Sequence, residues 1–262
     1  MKIKQVASFL ESIAPFEYQE SYDNCGLIIG DTNAEVKGAL ITLDCTEAII
    51  DEAISTGCNL VIAHHPIIFS GLKKLNGSNY IESTVIKAIK NEIAIYAIHT
   101  NLDNVHNGVN AKIAEKLGLV NCKVLLPRKD LNTNIIGSGI IGELNVPVDA
   151  QVFLKNLKLN MQTDCVRYTP LVKQQIKTVA VCGGSGSFLL KNAITAKADV
   201  FITADFKYHE FFDAENKIII ADIGHYESEQ FTKDLIYDLL VKNFIKFAVR
   251  LSKVNTNPIK YL

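Results

Sequence analysis

The chain has 262 residues, 48% hydrophobic and 21% charged, with 27 basic against 28 acidic side chains and a formal net charge of −1. That is enough chain to bury a sizeable core in one large domain or two small ones, and the charge balance argues against the broad basic footprint that wraps DNA or RNA or sits on anionic lipid. No apolar run approaches the roughly 20 residues of a membrane helix, so a cytoplasmic protein is expected.

The opening stretch MKIKQVASFLESIAPF has helical apolar spacing interrupted by Glu11, which predicts an amphipathic helix and not a signal peptide. GALITL (38–43) reads as a buried strand, TEAIIDEAIST (46–56) as an amphipathic helix closed by Gly57, and LVIA (60–63) as a second buried strand. A helix follows over 80–91, a strand over 93–98 and a helix over 109–117. From 119 to about 175 the pattern weakens into a linker plus a small β element. At Lys177 the alternation returns: KTVAVCGG as strand, SGSFLLKNAITAKA as helix, DVFITA as strand, 206–213 as helix, KIIIAD as strand, and a long helix over 227–243 carrying Phe231, Leu235, Leu239 and Leu240. Strands alternating with helices predict βαβ units on mostly parallel sheets, in a three-layer α/β/α arrangement.

The expected division is residues 1–120 as a first α/β half, 121–175 as the linker and small β element, and 176–262 as a second half. The halves look alike. At an offset of 140, AISTGCNLVIAHH (53–65) lies over AITAKADVFITAD (193–205), and ALIT (39–42) over VAVC (179–182), which suggests an internal duplication with a shared cleft. The cysteines at 25, 45, 58, 122, 165 and 182 form no C-x-x-C pair and are expected to be reduced and mostly buried.

In open α/β sheets ligands bind beyond the carboxyl ends of the strands, and the chemistry-bearing residues cluster there. His64 and His65 follow LVIA directly, and Pro66 keeps the turn extended, so the two rings suit two neighbouring ions better than one. His99 and Asp103 follow the strand at 93–98, and share a face if the chain turns helically there. His225 and Glu229 repeat the spacing after KIIIAD. Taken singly these are turn histidines, a turn or cap aspartate and a solvated first-turn carboxylate. Together they put four of only six histidines just past strand ends, two with an acid four residues on. Imidazole mixed with carboxylate suits Zn, Fe, Mn, Co or Ni. The turn CGGSGS (182–187) offers backbone N–H groups to a phosphate or carboxylate, or else is a tight turn with Ser185 or Ser187 as helix cap. His106 and His209 stand in polar contexts and are not expected to bind metal. Asp23 and Asp31 flank a turn, YDNCGLIIGD, near the site mouth, with no role that composition decides.

As a set, YDNCGLIIGD (22–31), VIAHHPIIF (61–69), IHTNLD (98–103), CGGSG (182–186) and GHYESE (224–229) resemble the NIF-three-like family, whose bacterial members carry the name GTP cyclohydrolase 1 type 2 homologue. The short middle segment resembles the compact form, without a large inserted domain. Tyr22 stands where that family often has Trp, and Cys25 where it has a small residue. The resemblance implies a pair of divalent metal ions per subunit held by His64, His65, Asp103, His225 and Glu229, with Glu229 bridging. It implies His99 in proton transfer, and a toroidal homohexamer. The activity it implies is metal-dependent hydrolysis of a nucleotide-like small molecule, at a purine ring carbon or a phosphoryl centre. The alternative is a non-catalytic metal-binding hexamer for storage, delivery or regulation. Nucleic-acid binding is disfavoured by the charge.

Overall fold

The structure is a computed structural model that describes residues 1–129 and 135–262. In chain order it runs α1 (Ile3–Ile13), β1 (Gly26–Ile29), β2 (Gly38–Thr42), α2 (Glu47–Thr56), β3 (Leu60–Ala63), α3 (Tyr80–Lys90), β4 (Ala94–Ala97), α4 (Thr100–Asp103), α5 (Val109–Lys116), β5 (Val120–Lys129) and β6 (Ile135–Asp149). Then follow α6 (Ala150–Asn160), β7 (Arg167–Tyr168), β8 (Gln175–Ser185), α7 (Leu190–Thr195), β9 (Val200–Ala204), β10 (Ile219–Asp222), α8 (His225–Glu229), α9 (Thr232–Asn243) and β11 (Ala248–Leu251). The protein is a mixed α/β chain that divides into two compact units: residues 1–102 with 232–258, and residues 103–231 with 259–262.

The first unit holds a five-stranded sheet in the order β1-β4-β3-β2-β11. β11, β2, β3 and β4 run parallel, and β1 closes the edge antiparallel to β4. LVIA and AIYA are continuous apolar runs because their strands are buried on both faces, as the pattern of β3 and β4 shows. α2 covers the sheet with Ile49, Ile50 and Ala53, in a core with Leu40, Val61, Ile95 and Val85. Each such fully buried Ile or Leu contributes about 1.5–3 kcal/mol. The segment read as a turn near the site mouth contains strand β1, and β11 lies in a stretch where no strand was expected.

The second unit holds a six-stranded sheet in the order β5-β6-β8-β9-β10-β7. β8, β9 and β10 are parallel, while β5, β6 and β7 add on antiparallel. The stretch read as linker supplies β5, β6, α6 and β7; its residues 130–134 lie outside those described. The helix expected over SGSFLLKNAITAKA is a 3-10 turn followed by the short α7, and 206–213 is largely a 3-10 helix over Tyr208–Ala214. The long helix expected over 227–243 is two helices, α8 and α9. In α9 the buried stripe is Thr232, Ile236 and Leu240; of the expected residues Leu240 lies on it and Phe231 is buried just before the helix, while Leu235 and Leu239 are half-buried. Among the described residues no helix is long and apolar enough to cross a membrane.

The offset of 140 has a counterpart in strand pairing. Ala39 pairs with Leu60 and Leu40 with Val61; Val179 pairs with Val200 and Ala180 with Phe201. β2–β3 and β8–β9 therefore keep the same parallel register, and each pair gains a third parallel strand, β4 or β10.

Candidate metal centre

In the first unit the chain beyond β3 stays extended, as Pro66 requires. The His64 and His65 amides continue the ladder, donating to the carbonyls of Thr42 and Leu43 at 3.2 and 2.9 Å. His64 is fully buried. Its ring lies 4.9 Å from that of His65, centre to centre, and each of the two lies 5.2 Å from the ring of His99. One ring nitrogen from each of these histidines lies within 4.8 Å of the others. The rings are not loose. His64 Nδ1 donates to the Ile98 carbonyl at 2.8 Å, His65 Nδ1 to Asp44 Oδ1 at 2.7 Å, and His99 Nδ1 to Asp23 Oδ1 at 2.9 Å. A carbonyl or carboxylate oxygen only accepts, so in the neutral rings the hydrogen sits on Nδ1 and the lone pair on Nε2. The second oxygen of Asp44 takes the Thr256 hydroxyl at 2.6 Å, which holds the carboxylate that holds His65.

In the second unit, Asp103, His225 and Glu229 come together. His225 opens α8 just past β10, and Glu229 stands one turn on. His225 Nε2 lies 3.1 Å from Glu229 Oε2, and its Nδ1 donates to Asp205 Oδ2 at 2.6 Å. A carboxylate oxygen of Asp103 lies within 4.8 Å of one of Glu229. Glu229 is 3% exposed, so it is not a solvated first-turn carboxylate. Burial opposes a charge on His225, but the carboxylates of Glu229 and Asp205 outweigh it and push the imidazole up to about 11. The cluster thus favours a cation between its acids. Burial, with the charges of Asp103 and Glu229, pushes the nearby Cys182 thiol far up, so it stays protonated.

The glycine segment expected as a turn forms the end of β8, and its amides do something other than cradle an anion. The Gly183 amide donates to Asn110 Oδ1 and the Gly184 amide to Ser228 Oγ, both at 2.9 Å. Asn110 also donates to the Asp103 carbonyl at 3.0 Å, so the strand end braces the segments that carry Asp103 and Glu229. Nor does Ser185 or Ser187 cap a helix; Gly186 stands at the cap position of the 3-10 turn. Gly184 has φ +62°, and a Cβ there would meet Glu229 Oε1 at 2.3 Å. Only glycine lets the backbone approach that carboxylate.

The matching profile of the Duf34/NIF3 (NGG1p interacting factor 3) family covers residues 1–258. The chain belongs to the NIF3 family. This NIF3 chain is 34% identical over 264 residues to the GTP cyclohydrolase 1 type 2 homolog of Campylobacter jejuni, with both chains covered in full. It is 31% identical over 266 residues to the protein of the same name from Clostridium acetobutylicum, covering 100% of this chain and 99% of the other. End-to-end matches at this length fit the compact form. A solved Bacillus cereus protein related to NIF3 superposes with TM-score 0.92 at 25% identity, covering 100% of this chain and 99% of that one.

Within this NIF3 chain, His106 and His209 are exposed. The carboxylates Asp23, Asp44 and Asp205, each bound to a histidine Nδ1, were the residues that motif reading left without a role. Asp44 and Asp205 stand one or two residues past β2 and β9, so the strand-end rule that picks out the histidines picks out these as well. All six thiols are free.

Proposed function

We propose that the chain is a metal-dependent hydrolase of a nucleotide-like small molecule, and that His64, His65, Asp103, His225 and Glu229 hold a pair of divalent ions. The observation that carries this is the common tie on four imidazoles: each Nδ1 is bound to an oxygen acceptor, the arrangement that orients ligating histidines and raises their basicity. The donor set fits the group, since three imidazoles and two carboxylates suit Zn, Fe, Mn, Co or Ni. When bound, such a pair of ions supplies Lewis acidity and activates water near neutral pH. His64, His65 and His225 would contribute ring nitrogens as donors, His225 by giving up a proton to make room for the ion, with Asp44 and Asp205 fixing two of the rings. Glu229 would contribute its carboxylate to the pair, and Gly184 leaves room for that carboxylate. His99 moves the proton at Nε2. The substrate class rests on the names of the relatives.

The test is metal content per chain for the wild type and for His65→Ala, with solution mass alongside. The expected result is a pair of ions lost in the variant, in a particle near six times 28.9 kDa. Failure to bind metal after reconstitution overturns the centre. A loaded protein that turns over no nucleoside triphosphate or phosphoester overturns the hydrolase reading.

A further inference from the structure

Asp23 belongs to the segment that joins α1 to β1, and its carboxylate is embedded in donors. Its Oδ1 accepts from His99 Nδ1 at 2.9 Å and from the Asn24 amide at 2.8 Å. Its Oδ2 accepts from the Thr100 amide at 3.0 Å, from the Thr100 hydroxyl, and from the Cys25 thiol at 3.2 Å. Thr100 Oγ1 in turn accepts from the Glu20 amide at 2.9 Å, which leaves its hydrogen for Asp23. Asn101 completes the frame: its Oδ1 accepts from the His99 amide at 3.0 Å and from Cys25 at 3.1 Å, and its Nδ2 donates to the Ala14 carbonyl at 2.7 Å. Burial pushes the Cys25 thiol up to about 12, with the charge of Asp23 adding to it, so the sulfur serves as a donor and not as a nucleophile.

Three site histidines have a carboxylate partner, and these partners differ. The Asp44 and Asp205 side chains are 34% and 45% exposed, whereas that of Asp23 is 0% exposed. A carboxylate sealed from water interacts with an imidazole through a lower local dielectric, so water screens this pair less than the other two, whose contacts are shorter at 2.7 and 2.6 Å. The His99 ring is also confined by packing, with the Phe69 ring edge-on at 5.7 Å.

We propose that Asp23 is the positioning residue of a buried carboxylate–imidazole dyad with His99, holding the hydrogen on Nδ1 so that Nε2 is the proton acceptor. It rests on the reading of His99 as the proton-transfer group. In the step, Nε2 takes a proton from water and Nδ1 keeps its own; the imidazolium later returns the Nε2 proton to the leaving group. Asp23 stays ionised throughout, stabilising the imidazolium without accepting a proton.

Asp23→Asn makes the reasoning testable. The Thr100 amide and hydroxyl both donate to the Oδ2 position, against the single Asn24 amide at Oδ1, so the asparagine oxygen is expected at Oδ2. Its NH2 then faces His99 Nδ1, which must become an acceptor, and the ring hydrogen moves to Nε2. The experiment is 15N NMR of metal-free protein labelled at histidine, at a pH where the ring is neutral, with the His99 signals assigned by His99→Gln. The expected result is the Nδ1–H tautomer in the wild type and the Nε2–H tautomer in Asp23→Asn. An Nε2–H wild-type ring overturns the proposal even if the variant fails to fold, and so does a folded variant with an unchanged tautomer. Should a substrate be found, Asp23→Asn is expected to lower kcat by roughly 10²–10⁴-fold with little change in KM. Because the NMR measurement needs neither metal nor substrate, a protein with the expected tautomers and no hydrolysis overturns the proposed function while leaving the dyad standing.

Discussion

If the proposed centre binds metal, adding one methyl group at Gly184 should abolish that binding without unfolding the chain. The backbone there has φ +62°, and an L side chain in that region costs about 1–2 kcal/mol. The new Cβ would also stand 2.3 Å from Glu229 Oε1. Carbon and oxygen meet comfortably at about 3.3 Å, so the carboxylate must retreat by about 1 Å. Glu229 is buried and cannot swing into water, which adds roughly 1–3 kcal/mol of overpacking. Metal ligation tolerates about 0.2 Å, five times less than the required shift. Gly57→Ala is the control: Gly57 closes α2 at φ +70°, with no heavy atom within 4 Å of a Cβ, so it pays the backbone cost alone. Thermal unfolding and metal content of both variants decide the matter. Gly184→Ala should lose more stability than Gly57→Ala, and should alone lose metal. Equal stability losses with full metal content in both would refute the argument that Gly184 makes room for Glu229.

Glu229→Gln, which keeps the shape and removes the charge, should bind less metal than His209→Ala, whose exposed ring belongs to neither histidine group; equal metal content in the two would count against Glu229 as a bridging ligand. A pH effect is expected away from the centre, at Glu82. Hydrogen bonds from the Asn76 amide, then from the Ser78 amide, hold its carboxyl below the ordinary value of 4.5. The stability this contributes is fully present above that value and is lost as pH falls through the lower folded one. Glu82→Gln should therefore flatten the acid limb of the unfolding profile below pH 4.5, and an unchanged limb would show the carboxylate to be uncoupled from folding.

Much of the architecture was legible because parallel strands buried on both faces must be apolar throughout. β2, β3, β4, β9 and β10 stand out as short runs ended by polar residues, and the histidines just beyond them were found by that rule. What the reading missed has physical reasons. β5 and β6 pair antiparallel with glycine kinks and a half-exposed face, so their apolar residues neither alternate cleanly nor run together. α8 and α9 read as one helix because the apolar periodicity carries through the break at Gln230 and Phe231. The carboxylates behind the histidines stayed hidden for another reason. Aspartate is common in turns, and only the fold shows which turn aspartates face an imidazole. Asp23 is 76 residues from His99 and Asp44 is 21 from His65, separations that no local motif spans.

Asp205 shows how narrowly some positions of this chain are drawn. Its backbone sits at φ +60°, in a left-handed conformation that favours glycine and, among other residues, asparagine and aspartate. Its side chain must also reach His225 Nδ1 with an oxygen. Glycine meets the first demand and fails the second. Glutamate tolerates such a backbone at Glu92 and Glu215, but its extra methylene carries the oxygen beyond the reach that aspartate sets. Random variation at this codon would therefore meet two independent filters whose overlap is Asp and Asn alone. Drift at position 205 should be confined to that pair, while a position such as Asp44, whose backbone is not left-handed, is free of the first demand.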